Sequence, residues 1–382
     1  MNSALHLLAD SPYGNMIAKL FTDALPEWEH TFFVCSKGPL RYPITSTRKV
    51  HSGSPKRLTE LTNESLQVIV SNGVPLNSAY HQSLPDNPAK VWVLWGFEVY
   101  ANRRFRSISD GTSTFTMPGT SDLYRAKRDQ SRLRRMASFA RQLLASTRPS
   151  HLKDAIEQFD HCVMLFREEY DMLQELIGFS KLPLTQTAGV PLDSLIGEGI
   201  LTAEDTPQGR PNNILLGNSA SPTCNHVEAI ERIQRIGLPA GGKVIVPLSY
   251  GDKRYGEAVS QLLAKHLPNR HVALTDFMPI DKYNDVLGSC PIVLMNHLRQ
   301  QAVGNILASI YRGAIVYLNR TPVYLGLKRM GIDVRLVDDL KSREQITERL
   351  ETSQVLKHRE ILEEHVGRQS VTAAYRKLFD CI

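Results

Sequence analysis

Apolar residues along this chain come in short runs that alternate with longer mixed segments. Residues 5–9 (LHLLA) read as a buried strand, and the polar turn Asp10, Ser11, Pro12 hands over to a helical pattern across residues 15–25. "TFFVCS", "LQVIVSNG" (66–73) and "KVWVLWG" (90–96) repeat the strand-like signal. The pattern restarts in the second half with "ILL" (214–216), "KVIVPLSYGD", "HVALTDFMP", "CPIVLMNH" and "AIVYLNR", separated by helical stretches such as 255–266 and 305–311. This alternation predicts α/β topology with parallel sheets. Two α/β sheets in series follow, with the break inside residues 180–193, and ligands are expected in a cleft where the carboxyl ends of the strands face each other. Between the halves, residues 101–120 read as a loop rich in Ser, Thr, Gly and Arg, and 123–145 as a basic amphipathic helix. From residue 342 onward the chain is helical and charged, either packing back across the first domain or forming a plain surface helix pair. The expected division is an N-terminal domain over 1–185, a C-terminal domain over 186–350 and closing helices over 351–382.

Composition narrows the class only slightly. The 382 residues, 42% apolar and 22% charged, fit a soluble globular protein of two domains. Five scattered cysteines, with no CxxC pair and no zinc-like spacing, read as free thiols in a reducing compartment. The N-terminus lacks a basic stretch before its few apolar residues, so it does not read as a secretory signal, and no apolar run approaches the roughly 20 residues that span a bilayer. The net charge is +6, but between residues 103 and 153 twelve Lys or Arg face only Asp110, Asp122 and Asp129, a local excess of nine. Such a segment attracts a polyanion, nucleic acid or an anionic lipid leaflet, or is simply a solvated helix face.

The chemistry gathers where strands give way to helices. Three junctions in the second half end in small or polar residues: Gly217, Asn218 and Ser219; residues 247–252 with Tyr250; and residues 299–305 with Arg299, Gln300, Gln301, Gly304 and Asn305. Each is expected to present free backbone N–H groups at a helix start, where the partial positive charge favours phosphate, with glycines that allow close approach. Arg299 adds a planar fork suited to a diphosphate, and Gln300 and Gln301 suit hydroxyl or amide groups of an attached moiety. Arg299 paired with a carboxylate, with the glycines merely turning the chain, is the alternative. No GxGxxG follows the first strand and no GxxxxGK[ST] occurs, so neither a dinucleotide fold nor a P-loop is indicated. In the first half, "WVLWGFEVY" (92–100) is read as ending a strand with Trp95, Gly96 and Glu98, where partial burial raises a carboxyl pKa and suits a general base toward a sugar hydroxyl. Trp95 and Tyr100 as core, with Glu98 pairing Arg103 or Arg104, is the competing reading. Asp10 is a second base candidate, and His226 and His297 read as helix-start or cleft residues without a metal partner.

The stretches "HLLADSPYGNMIAKLFTDAL", "WGFEVY", "ILLGNSASPTCNHVEAI", "VIVPLSYGD" and "RQQAVGN" occur in family order over residues 5–320. In them the chain resembles the TDP-N-acetylfucosamine:lipid II N-acetylfucosaminyltransferases of enterobacterial common antigen synthesis, glycosyltransferase family 56. The resemblance implies a GT-B-like α/β fold, two Rossmann-like domains with parallel sheets facing a central cleft. It implies a TDP-sugar donor, its amino-deoxyhexose N-acetylfucosamine, held by Gly217, Asn218, Ser219, Tyr250, Arg299, Gln300, Gln301, Gly304 and Asn305. It also implies a polyprenyl-diphosphate-linked acceptor met by Asp10 and Trp95, with Glu98 as base and Arg299 stabilising the leaving group. Glu98 stands where the family pattern has aspartate, which keeps a carboxylate but moves it by one methylene. Near Ala308 the sequence is apolar, where many retaining transferases of this architecture carry a ribose-gripping glutamate; a 2′-deoxyribose has no 2′-hydroxyl to grip. A peripheral position on the cytoplasmic face of the bacterial inner membrane is implied, with the basic segment against anionic lipid. No DxD-like pair stands beside the donor motifs, so neither a cofactor nor an obligatory metal is expected. Two other readings stand beside this one: a nucleotide-sugar 2-epimerase on the same architecture, and a nucleic-acid-binding protein using the basic segment. Against the last, 123–145 holds only Tyr124 and Phe139 as stacking residues, so no nucleic-acid partner is expected.

Overall fold

The structure, a computed structural model, describes residues 2–62, 65–106, 112–127, 152–197 and 207–382. Its residues group into two compact units. Unit 1 comprises Met1–Arg104, Ser150–Ser194 and Glu363–Ile382; unit 2 comprises Phe105–Pro149 and Leu195–Leu362.

Unit 1 holds a seven-stranded sheet of β1 (Ser3–Leu8), β2 (Glu29–Cys35), β3 (Val50–Gly53), β4 (Leu66–Asn72), β5 (Ala89–Val93), β6 (His161–Val163) and β7 (Leu184–Thr185). They lie in the order β3-β2-β1-β4-β5-β6-β7, and the pairings are parallel. Unit 2 holds β8 (Ile214–Leu216), β9 (Val244–Pro247), β10 (His271–Leu274), β11 (Ile292–Met295), β12 (Ile315–Leu318) and β13 (Arg335–Leu336). Their order is β10-β9-β8-β11-β12-β13, again with parallel pairings.

Helices cover both faces of such a sheet, which is why β9, β11 and β12 are buried along their whole length and read as unbroken apolar runs. Ile214, Leu216, Val244, Val246, Ile292, Leu294, Ile315 and Tyr317 form the centre of the second core. Leu5, Leu7, Phe33 and Ile69 do the same in the first. The helix Gly14–Ala24 buries Ile17, Ala18, Leu20, Phe21 and Ala24, a helical spacing, and the helix Arg368–Cys381 buries Val371, Tyr375, Leu378 and Phe379. Phe21 and Tyr375 meet edge to face at 4.8 Å, so the last helix joins the first unit.

Several expectations need adjustment. β5 stops at Val93, and Glu98 lies in the short helix Phe97–Tyr100 rather than at a strand end. The segment expected to be loop through residue 120 enters a helix at Pro118–Lys127, while most of the expected basic helix 123–145 lies outside the described residues. The segment Phe105–Pro149 groups with unit 2 rather than with the rest of the first 185 residues, and within it Thr120 donates its backbone N–H to Glu228 Oε1 (3.0 Å) and its hydroxyl to Glu228 Oε2 (2.7 Å).

Candidate functional site

In both sheets the chain order reverses beside the first strand, between β1 and β4 and between β8 and β11. Loops leaving adjacent strands there diverge to opposite faces and open a crevice at the carboxyl ends. In unit 2 the two loops that meet at this point are Gly217–Asn218–Ser219 and the segment from Asn296 to Ala302, two of the three expected junctions.

Hydrogen bonds stitch these loops together. Gln301 Nε2 donates to Asn218 Oδ1 (2.9 Å), Thr223 Oγ1 donates to Gln301 Oε1 (2.6 Å), and Asn218 Nδ2 donates to Tyr250 Oη (2.6 Å). One glutamine thus joins the β8 loop to the β11 loop, and one asparagine joins both to the β9 loop. Gln301 is spent on this frame, whereas Gln300 is buried and its Oε1 has no partner. A buried unpaired acceptor costs about 1–3 kcal/mol, which an N–H or O–H of a ligand would recover.

The three junctions are not equivalent. At the first, the helix His226–Ile236 has its Val227 N–H bonded to Thr120 Oγ1 (3.2 Å) and carries Glu228 in its first turn. At the second, Asp252 caps the helix Lys253–His266, accepting from the Tyr255 N–H at 3.1 Å. The Thr120 hydroxyl at the first start and the Asp252 carboxylate at the second take helix N–H groups that a phosphate would use. The third helix, Val303–Tyr311, has no side-chain cap and no acidic residue in its first turn, and it begins after Ala302 held at φ 58°. Free N–H groups had been expected at all three; the caps come from residues distant in sequence at the first junction and adjacent at the second.

The glycines also have protein reasons. A Cβ on Gly217, whose φ is +65°, would lie 3.1 Å from His226 Nε2 and 3.3 Å from Cys224 Cβ, and one on Gly304 would lie 3.3 Å from Leu195. Ser219 is buried with its Oγ 3.7 Å from Cys224 Sγ, and Asn305 donates from Nδ2 to Tyr283 Oη at 2.9 Å. Burial lowers the pKa of both His226 and His297 to about 3, so both rings are neutral. Of these two histidines and Arg299, only the arginine carries charge; its Nη1 donates to the Gln300 carbonyl at 2.6 Å. Phe277, unremarked in the sequence, is 63% exposed and Tyr250 51%. β9 and β10 pair in register with Pro247 opposite Leu274, and each aromatic is the third residue beyond the carboxyl end of its strand.

In unit 1 the corresponding edge holds Trp95, Asn72 and Glu98. The Glu98 Oε1 accepts from the Trp95 N–H at 2.7 Å and from Trp92 Nε1 at 3.3 Å, while Oε2 has no partner. Burial outweighs these bonds and raises its pKa to about 7. Of the two arginines in the competing reading, Arg104 donates instead to the Leu176 carbonyl and the Arg103 side chain lies outside the described residues, while Tyr100 donates to Glu169. Trp95 donates from Nε1 to Asn72 Oδ1 at 3.4 Å and lies 4.9 Å from the Tyr13 ring. Asp10 uses both oxygens on the chain itself, accepting from the N–H groups of Arg41 (2.8 Å) and Tyr42 (3.0 Å). Among the described residues no group of three His, Cys, Asp or Glu is placed to hold a metal ion, and no helix is long and apolar enough to cross a membrane. All five cysteines are unpaired.

Comparison with known proteins turns this geometry into a class. The model of the 4-alpha-L-fucosyltransferases, glycosyl transferase group 56, matches residues 197–362, the stretch that carries the junctions just described. The chain is a glycosyltransferase. Solved structures agree on the fold over the whole chain. Sucrose-phosphate synthase from Thermosynechococcus elongatus superposes with a TM-score of 0.63 at 10% identity, covering 100% of both chains. Anabaena HepE, solved with UDP and glucose, gives 0.63 at 11% identity with the same coverage. WaaG, a glycosyltransferase involved in lipopolysaccharide biosynthesis, gives 0.55 at 12% identity, covering 100% of this chain and 99% of its own. The architecture of this glycosyltransferase is GT-B, two parallel-sheet α/β domains.

Proposed function

We propose that this glycosyltransferase moves 4-acetamido-4,6-dideoxy-galactose from a TDP-sugar to an undecaprenyl-diphosphate-linked saccharide in cell-surface polysaccharide synthesis. The observation that carries the donor reading is the third junction: an uncapped helix start, Val303–Tyr311, beside Arg299, at the reversal point of a parallel sheet. A diphosphate there meets oriented N–H groups and a guanidinium fork, the pairing that stabilises the charge developing on a departing nucleoside diphosphate. Gln300, with its unpaired Oε1, faces the sugar in this reading, and Gln301 holds the loop. Tyr250 and Phe277 offer ring faces to the base.

In the reaction the acceptor hydroxyl oxygen bonds to the anomeric carbon, the bond from that carbon to the diphosphate oxygen breaks, and TDP departs. Glu98 takes the hydroxyl proton; a carboxyl with a pKa of about 7 is matched to that task near neutral pH. The basic stretch between residues 103 and 153, with its excess of nine charges, supports a peripheral position on an anionic leaflet, each Lys or Arg near the surface contributing about 1 kcal/mol.

The test is mass spectrometry of a lipid-linked acceptor incubated with the protein and several TDP-sugars, repeated with Arg299→Ala. Transfer of the amino-deoxyhexose, reduced about a hundredfold or more in the variant, is expected. Near-normal turnover in Arg299→Ala sinks the leaving-group assignment, and transfer from UDP-sugars alone sinks the thymidine donor.

A further inference from the structure

Three asparagines brace the start of the β11 loop. Asn225 Nδ2 donates to the Asn296 carbonyl (2.9 Å) and Asn296 Nδ2 donates back to the Asn225 carbonyl (3.0 Å), a reciprocal clamp between the start of one helix and the end of β11. Asn319, just past β12, donates from Nδ2 to Asn296 Oδ1 (3.0 Å) and to the His297 carbonyl (3.1 Å). Asn225 and Asn296 are buried, and Asn225 stands at φ 51°, a conformation that asparagine tolerates better than most residues. A strap from far earlier in the chain latches the same group: the Met117 N–H donates to Asn225 Oδ1 (2.7 Å), and Asn225 Nδ2 reaches the Phe115 carbonyl (3.2 Å).

Buried amides of this kind repay their desolvation only when their hydrogen bonds are made, so the lattice has one preferred geometry. That geometry sets the backbone from Asn296 onward, the backbone that carries Arg299, Gln300 and Gln301. We propose that Asn225, Asn296 and Asn319 are positioning residues for the donor loop, and that the strap segment Phe115–Met117 is the latch that holds their lattice closed. The proposal rests on the donor reading above. It assigns the three amides to the nucleoside diphosphate step, not to acceptor binding.

The experiment measures calorimetric binding of TDP alone to the full chain and to Asn225→Asp, Asn319→Ala and the double variant, beside thermal melts of each. Asn225→Asp keeps the acceptor for Met117 but turns an oxygen toward three carbonyls, those of Asn296, Phe115 and Thr223. TDP affinity is expected to fall about tenfold in each single variant. In Asn225→Asp the loss should shrink as the pH is lowered from 8.5 to 6, because a protonated acid can donate to the Asn296 carbonyl again. Both side chains act through Asn296, so the double variant should lose less than the product of the single losses. Folded variants that melt lower but bind TDP like the wild type, or multiplicative losses with a pH-independent Asn225→Asp, overturn the lattice and leave the donor site standing. A wild-type chain that does not bind TDP overturns the donor reading, and the lattice proposal falls with it.

Discussion

Glu98→Gln should push stability and activity in opposite directions as pH rises. The wild-type carboxyl accepts two N–H bonds on Oε1, yet burial raises its pKa from 4.5 to about 7. A carboxyl whose folded pKa exceeds its unfolded one stabilises the fold below the unfolded value and loses that contribution as pH climbs through the folded one. The whole gap is worth about 3 kcal/mol, and about 2 kcal/mol of it disappears between pH 5.5 and 8.5. Glutamine accepts the same two bonds on its oxygen and does not ionise. Its amide nitrogen, in place of Oε2, adds a roughly constant cost of about 1–3 kcal/mol for an unpaired donor. The stability of the variant relative to wild type should therefore shift by about 2 kcal/mol in favour of glutamine between pH 5.5 and 8.5. Urea unfolding followed by tryptophan emission reads this cleanly, because Trp28, Trp92 and Trp95 all belong to unit 1. Turnover in the same variant should drop by about two to four orders of magnitude above pH 7, where the wild-type carboxyl is ionised, and by less below it, where the wild type loses its own base. A stability difference that does not move with pH refutes the burial argument. A pH-dependent difference with turnover intact refutes the base and leaves the buried carboxyl as a bracket for the two tryptophans.

Three further substitutions separate the junctions. Gln301→Ala removes the bonds to Asn218 and Thr223, and should raise the donor KM about tenfold with a smaller change in kcat, measured with saturating acceptor. Asp252→Ala should cost about 1 kcal/mol in a thermal melt through the lost helix cap, with donor KM unchanged, since the proposed phosphate site lies at another helix start. Phe277→Ala should weaken TDP binding at least fivefold, the loss of about one base-stacking contact, measured by calorimetry.

The two parallel sheets were legible because their central strands are buried on both faces and leave unbroken apolar runs. β3, β6, β7 and β13 were not, since strands of two to four residues, several half-buried, carry no period to count. The three strand-to-helix junctions were visible as motifs, but which of them is left without a cap was not. That depended on Thr120 reaching Val227, a bond across 107 positions that no local pattern announces. The same long-range contacts moved the segment after Arg104 into unit 2. Gln300 and Gln301 look alike in sequence; their different roles emerge only from the Thr223 and Asn218 partners that engage one of them.

The packing of Tyr375 on Phe21 carries a consequence for how the protein is made. Unit 2 ends at Leu362, so its whole sequence has been translated while the first unit still lacks residues 363–382. The part of the first helix that Tyr375 and Phe379 cover, at Phe21, waits on the ribosome without them until the final helix emerges, a span in which exposed apolar surface invites misassembly. Damage to the last twenty or so residues would accordingly be felt in the first unit to be synthesised, while the second unit, already supplied with its own chain, would fold around its sheet regardless.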